Sequence, residues 1–126
     1  MKTLTYMDFA IDEWQYLNMA YMSGIYSNAQ IAQCQRIAEG ALKHIIDTRF
    51  LNQNEVMMSH SLRHIYDAII EMGIDIRSIR SDIMILNNYH THTRYPGRDA
   101  FLADFEDIKA SVEAVNRILE VVKEVI

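Results

Sequence analysis

The stretch DAFLADFEDIKASVEAVNRILEVVKEVI, residues 99–126, decides the fold of this chain. Its apolar residues recur in alternating steps of four and three: Phe101, Phe105, Ile108, Val112, Val115, Leu119, Val122 and Ile126. Steps of this size place side chains on one face of an α-helix. Asp99, two residues upstream, is a residue type that caps helix N-termini. The stretch therefore predicts a long amphipathic helix that starts at Asp99 and buries one face against other helices.

The same helical spacing recurs in four earlier segments, and most of the few Gly and Pro residues fall between them. The segments cover residues 6–23, 27–50, 59–72 and 75–94, with Ser27 or Asn28 as the N-cap of the second and a polar link at 52–54 before the third. Gly24 follows the first segment, where a helix C-cap is expected. Before the last helix, Pro96 and Gly97 suit the centre of a type II turn.

No segment alternates apolar and polar residues with the two-residue period of a strand. Short links between helices favour antiparallel neighbours. The sequence therefore predicts an all-α fold, an up-and-down antiparallel bundle of four long helices plus one shorter helix. We expect a single domain covering residues 1–126.

The composition is that of a globular protein and argues against several functional classes. A chain of 126 residues can form one hydrophobic core, and the single cysteine, Cys34, excludes an intramolecular disulfide. There is no signal-peptide pattern and no apolar run of about 20 residues, so we expect a cytoplasmic protein that does not bind a membrane. The net charge of −5 argues against a broad face for duplex DNA, although residues 74–98 hold four arginines and only two aspartates.

Four short stretches carry a resemblance to the HEPN domain family. Residues 24–29 (GIYSNA) and 34–43 (CQRIAEGALK) are similar to its GxYxxAxxxxQxAxExxLK pattern, residues 60–62 (HSL) to its HxL helix start, and residues 94–96 (RYP) to its RYP turn. The resemblance covers nearly the whole chain. It implies a four- to five-helix bundle that is often dimeric. Members are metal-independent ribonucleases, nucleotide-binding modules, or partners of minimal nucleotidyltransferases in toxin–antitoxin pairs.

The ribonuclease members of the family use an R-x(4–6)-H motif, and this sequence departs from it. Arg80 precedes His90 by ten positions, Arg36 precedes His44 by eight, and no histidine follows Arg94. We therefore carry no catalytic residue over from the family.

The predicted topology brings basic residues together. In an up-and-down bundle the end of the second helix and the turn between the fourth and fifth lie at one end. All five histidines are expected there, beside three arginines: His44, His60, His64, His90, His92, Arg49, Arg94 and Arg98. Helix N-termini add partial positive charge, and arginine matches the geometry of a phosphate. The expected ligand-binding residues for RNA or a nucleotide are Arg94, Tyr95, His60, His90, His92 and Arg98, with Tyr95 or Tyr89 as a stacking surface.

Three functions remain open at this point. The first is a homodimeric binding or regulatory module for a nucleotide or RNA, paired with a separately made nucleotidyltransferase. The second is a metal-independent ribonuclease in which Arg94 works with His90, His92 or His60 as general acid–base. The third is a structural interaction bundle whose basic residues are paired with acids.

The remaining chemistry-bearing residues have simpler explanations. Each close pair of histidines supplies only two metal ligands, so we expect no metal and no other cofactor. Cys34 falls within an apolar stripe and is expected to be buried and unreactive. Glu39 and Lys43 are spaced as an ordinary helix pair. Methionines outside the main stripes, such as Met19 and Met22, predict a surface for self-association.

Overall fold

Helices account for the secondary structure of the computed structural model, which describes residues 3–49 and 53–126. The α-helices are α1 Tyr6–Met22, α2 Asn28–Arg49, α3 Asn54–Met57, α4 Leu62–Glu71, α5 Arg80–Thr93 and α6 Phe105–Val125, with a 3-10 turn at Arg77–Ile79. No strand occurs in these two ranges. The predicted all-α fold is confirmed, with one more helix in the described ranges than the five that we predicted.

The extra helix and the displaced start of the predicted fourth segment both have local causes. The extra helix is α3, a single helical turn that begins at Asn54, the last residue of the predicted polar link. At the next boundary, the Asp75 carboxylate accepts a hydrogen bond from the backbone N–H of Arg77 at 3.1 Å and another from its guanidinium at 2.9 Å. Such a side-chain-to-backbone bond favours a turn over a helix, so α5 begins at Arg80 rather than at Asp75. The predicted end of the second segment at Phe50, and Asn52 of the link, lie outside the described residues.

The last helix begins five residues later than predicted because Asp104, not Asp99, is its N-cap. The Asp104 side chain accepts from the backbone N–H of Asp107, and Asp107 reaches back to the N–H of Asp104. This reciprocal capping box fixes the helix start. Phe101 and Phe105 are consequently 38% and 42% exposed instead of belonging to the core, whereas the predicted stripe from Ile108 to Val122 is buried.

The turn chemistry differs from the prediction at one of two glycines. Gly24 has φ of +83°, as expected of a residue that ends α1. Gly97 has no positive φ, which the third residue of a type II turn requires, so that prediction is wrong. The turn is closed instead by a hydrogen bond of 3.2 Å from the N–H of Ala100 to the carbonyl of Gly97.

Helix directions follow from the hydrogen bonds at the helix ends, and they correct the simple up-and-down order. The side chain of Asn28, at the start of α2, contacts residues 101 and 103 just before α6. Arg49, at the end of α2, donates to the carbonyl of Val125 at the end of α6. These two helices therefore run in the same direction. α5 runs opposite to α6, since Asp82 near its start pairs with Arg117.

α2 is the central helix and packs against α1, α4, α5 and α6. Its buried apolar residues are Ile31, Cys34, Ile37, Ala38, Ala41, Leu42, Ile45 and Ile46. Burial of each large aliphatic side chain stabilises the fold by roughly 1.5–3 kcal/mol. The opposite face of its first half remains open and polar, which sets up the site described next.

Candidate functional site

A groove of about 510 Å³ lies where the first half of α2 meets the start of α4 and the end of α5. It is lined by Asn28, Ala29, Ala32, Gln35, Arg36, Glu39, His60, His90, Thr93 and Arg94. Ala29 and Ala32 leave space on α2 because their side chains are short. Two arginines and two imidazoles therefore face one depression that contains a single carboxylate.

That carboxylate belongs to Glu39 and is held by two partners. Its Oε1 accepts a hydrogen bond of 2.8 Å from Lys43 Nζ and lies 2.9 Å from Nδ1 of His60. Lys43 and Glu39 are largely buried, whereas the His60 side chain is 85% exposed. The backbone carbonyl of His60 in turn accepts from Gln35 Nε2 at 3.2 Å, which fixes the start of α4 against α2. The charge of Glu39 is thus offset by Lys43, and His60 projects into solvent beside it.

On the other wall of the groove, Arg94 and His90 are in direct contact. Arg94 Nη1 lies 3.1 Å from Nε2 of His90, one helical turn earlier. Burial and the Arg94 charge lower the pKa of His90 below its ordinary value of 6.5, and Glu39 opposes this shift. His90 is therefore neutral at neutral pH, with Nε2 accepting from the guanidinium. Arg94 also lies over the Tyr95 ring, 5.1 Å from its centroid, in a cation–π contact.

Asn28 holds this wall in place. Its amide nitrogen donates to the carbonyls of Thr93 at 3.2 Å and Phe101 at 2.9 Å, and its Oδ1 accepts from the N–H of Ala103 at 2.7 Å. A single side chain thereby joins the start of α2, the end of α5 and the segment before α6. Arg94 follows directly after Thr93, so the position of its backbone depends on this contact.

Two further depressions continue the groove at its ends. One, of about 530 Å³, shares Asn28, Thr93 and Arg94 with the groove and adds Tyr95, Pro96, Ala100, Phe101 and Leu102. The other, of about 270 Å³, shares Arg36, Glu39 and His60 and adds Tyr6, Gly40 and Lys43. The polar groove is thus flanked by an apolar, aromatic surface at the α5–α6 turn.

The structure brings together three of the six residues expected to bind a ligand. His60, His90 and Arg94 line the groove, and Tyr95 lies in the adjoining depression. His92 lines neither, and its Nδ1 is 3.0 Å from the carbonyl of Asn88. Arg98 is exposed outside both.

The five histidines do not gather at one end of the bundle, because α2 and α6 run in the same direction. Arg49 lies at the end of α6, away from the α5–α6 turn. His44 is 8% exposed in the interior, and His64 is exposed on α4 outside the groove. Helix direction depends on contacts between distant segments, which periodicity does not encode.

Sequence reasoning had assigned Arg36, Glu39 and Lys43 no part in the site. Arg36 projects from α2 and pairs with Glu13 of α1 at 2.7 Å. Glu39 and Lys43 have the spacing of a common helix pair, but both belong to residues 34–43, the stretch that carried the family resemblance. The resemblance of this stretch to the family pattern was the one feature of the sequence that could have indicated a role for Glu39 and Lys43 beyond helix stability.

Neither a metal cluster nor a membrane helix is found within residues 3–49 and 53–126. No three His, Cys, Asp or Glu side chains there are placed to hold a metal ion. No helix there has both the length and the apolar character needed to cross a bilayer.

Comparison with known proteins gives one result. No curated protein and no solved structure matches the chain. The family model of the HEPN domain matches residues 6–125, a range that includes all six described α-helices in full, and this confirms the resemblance in the sequence. This chain therefore belongs to the HEPN domain family.

Proposed function

We propose that the groove binds the phosphate of a nucleotide or an RNA, so that the chain acts as a nucleotide- or RNA-linked binding or regulatory module. The observation that carries the proposal is the convergence of Arg36, Arg94 and His60 on one open depression. Arginine offers a planar fork of donors to phosphate oxygens. Family membership supports a nucleotide- or RNA-related role at the same coarse level.

The adjoining apolar depression supports a base next to the phosphate. Tyr95 is 66% exposed beside Arg94, and Phe101 lies in the same depression. Any nucleobase can stack on an exposed aromatic ring, so the surface around Tyr95 would increase affinity for a nucleotide without distinguishing one base from another. The chemistry fits a nucleotide unit with its phosphate at Arg94 and its base against Tyr95.

Binding is tested by fluorescence anisotropy with a fluorescein-labelled single-stranded RNA and by calorimetry with ATP. Replacing Arg94 by Gln removes a charge-assisted contact, and the affinity is expected to fall about tenfold or more. Arg63→Gln is the matched control, since Arg63 is exposed on α4 and does not line the groove. Equal affinities of Arg94→Gln and wild type, or no binding by wild type, would contradict the proposal.

We further propose a nucleotidyltransferase as the protein partner of this module. The proposal rests on family resemblance and is independent of the groove. Co-purification of the chain from its native source under gentle conditions is expected to recover such an enzyme. Repeated recovery without a nucleotidyltransferase would count against this part of the proposal.

A homodimer is also proposed, since HEPN domains are often dimeric. Light scattering on a size-exclusion column measures the mass in solution directly. A mass near 29 kDa, twice the 14.7 kDa of one chain, is the expected result. A mass of one chain at all concentrations would contradict it.

A second candidate function is metal-independent ribonuclease activity, favoured by the contact of Arg94 with His90. The family motif places an arginine before its histidine, whereas here the order is reversed with the two side chains still touching. If a phosphate draws Arg94 away, Nε2 of the neutral imidazole becomes free to accept a proton from a 2′-hydroxyl.

An assay on single-stranded and structured RNA in the presence of EDTA tests this second function. Cleavage by wild type that is lost in both His90→Gln and Arg94→Gln supports it. Binding without cleavage leaves the binding module as the function and removes the ribonuclease.

A further inference from the structure

The outer face of α1 carries an exposed apolar surface that no described residue covers. Fifteen large apolar residues of the described ranges are exposed, and eight of them fall within residues 4–26. On α1 itself the most exposed are Phe9, Tyr16, Met19 and Met22, at 61–76%. Monomeric proteins rarely expose large contiguous apolar patches unless these bind something.

Helical spacing places these residues on one side of α1. Phe9, Asp12, Tyr16 and Met19 follow one another in steps of three, four and three, and Met22 continues the series. We call this set of five the α1 outer face. The inner side of the helix is separate and is buried through Met7, Ala10 and Leu17. α1 is thus apolar on two sides, and the bundle uses only one of them.

Two acids lie along this side of α1, Asp8 and, one helical turn later, Asp12. Asp12 is exposed between Phe9 and Tyr16, and no hydrogen bond or ion pair joins its carboxylate to the described residues. No Lys or Arg occurs between residues 3 and 35. The first base after this stretch, Arg36, is already paired with Glu13 at 2.7 Å. Within the part of the chain that the structure describes, the face therefore presents a negative charge in an apolar surface and has no base beside it.

We infer that the α1 outer face docks a different protein, through apolar side chains that surround a Lys or Arg of that partner. A buried carboxylate is tolerated in an interface only when it is paired, because desolvation of an unpaired charge is costly. Because none of the described residues supplies a base at this face, the pairing cation is expected from the partner. The charge complementarity therefore defines the partner surface as apolar with a central base.

The same charge argues against a second copy of this chain as the occupant. A symmetric contact of two α1 outer faces would bring two Asp12 carboxylates into one apolar interface without a base. Like charges at close range in such an interface are unfavourable. The proposed homodimer is therefore expected to use another surface than the one that Met19 and Met22 suggested from the sequence.

This inference does not depend on the ligand proposal. None of the five residues of the α1 outer face lines the groove or its two adjoining depressions. Substitutions on this face are expected to leave RNA and ATP affinity unchanged, and Arg94→Gln is expected to leave docking unchanged.

The test is site-specific photo-crosslinking of the full chain in its native cells. A benzoyl-phenylalanine replaces Tyr16, and the crosslinked peptides are identified by mass spectrometry. The expected product joins position 16 to a segment of another protein that contains a Lys or Arg among apolar residues. Its yield is expected to fall at least tenfold with Asp12→Lys and to stay unchanged with Asp67→Lys, an exposed acid on α4.

Three results would overturn the inference: a crosslink to a second copy of the chain, a crosslink that is insensitive to Asp12→Lys, or no crosslink at all. Because Asp12 is exposed, its variant is expected to keep the helical circular dichroism of wild type. A charge exchange gives a second measurement. Changing the partner's crosslinked base to Glu is expected to restore the yield with Asp12→Lys, and failure to restore it would contradict direct pairing.

Discussion

His90 and Arg94 show how a neighbouring charge sets the protonation of a side chain. Burial is the larger cause of the lowered pKa of His90, and the Arg94 guanidinium is the second. The sequence placed both residues at the α5–α6 turn but did not show that they touch. The hydrogen bond between Arg94 Nη1 and His90 Nε2 depends on the rotamers of both side chains, which the spacing of the residues does not determine.

Replacing Arg94 by Gln is expected to raise the pKa of His90 towards its ordinary value, since a nearby positive charge is removed. An NMR titration of the imidazole Cε1–H signals measures this directly, with Arg63→Gln as the control. An unchanged or lower pKa of His90 in the Arg94 variant would contradict the contact.

The same shift predicts a pH dependence of stability. Since folding lowers the pKa of His90 below 6.5, the unfolded chain binds this proton more readily than the folded one. The His90 contribution therefore favours the folded state above pH 6.5 and is lost as the pH falls from there towards the folded pKa. Melting temperatures of wild type and His90→Gln are expected to diverge in this acidic window. Parallel curves would argue against the shift.

Cys34 is expected to be inert in the folded protein. Burial raises the pKa of its thiol from 9.0 to about 12, and Glu13 adds to the shift. Because the thiolate is the reactive form, labelling by Ellman's reagent at pH 8 should be negligible until denaturant is added. Rapid labelling of the native chain would show that the thiol is accessible. The predicted burial of this residue is confirmed.

At the scale of secondary-structure elements, periodicity located the helices and side-chain hydrogen bonds set their ends. The stripe from Ile108 to Val122 is buried as its spacing predicts. The last helix is capped by Asp104 rather than by the predicted Asp99, because Asp104 and Asp107, three residues apart, cap reciprocally. The antiparallel arrangement of α5 and α6 agrees with the prediction, but the predicted direction of α6 relative to α2 was wrong, because it depends on long-range contacts such as that of Asn28 with Phe101.

Asn28→Ala is expected to loosen the connection between α5 and α6. The variant loses three hydrogen bonds and leaves the N–H of Ala103 without its acceptor, which costs about 1–3 kcal/mol of unfolding free energy. Urea denaturation measures the loss, and hydrogen exchange at the Ala103 amide is expected to accelerate. Asn88→Ala, at an exposed position of α5, is the control. Equal stability of both variants would contradict the role of Asn28.

At the scale of the whole molecule, a few polar contacts set how the helices are arranged around α2. Trp14 of α1 donates to Asn116 of α6 at 2.7 Å, and Arg117 of α6 pairs with Asp82 of α5 at 2.8 Å. The Asp82 side chain is only 5% exposed, so its charge relies on this partner. These pairs could not be predicted from the sequence, because Trp14 and Asn116 are 102 residues apart in the chain and Asp82 and Arg117 are 35 residues apart.

Arg117→Gln is expected to destabilise the bundle by about 1–3 kcal/mol, because it leaves a buried carboxylate without its cation. Chemical denaturation measures the difference. Arg63→Gln, which disrupts an exposed pair with Asp67 at 3.9 Å, is expected to change the stability by less than about 0.5 kcal/mol. Similar losses of unfolding free energy in the two variants would show that the buried Asp82–Arg117 pair stabilises the fold no more than an exposed ion pair does.

The contact of Asn28 also has an evolutionary consequence. The side chain at position 28 donates two hydrogen bonds and accepts one, and it must be short enough to reach all three partners. Aspartate has no hydrogen-bond donor, serine has a single donor, and glutamine is longer than asparagine by one methylene group. Among related sequences that keep the turn between α5 and α6, few substitutions are therefore expected at position 28. Where it does change, compensating substitutions or length changes are expected between residues 93 and 103, so that the two stretches evolve as a coupled unit.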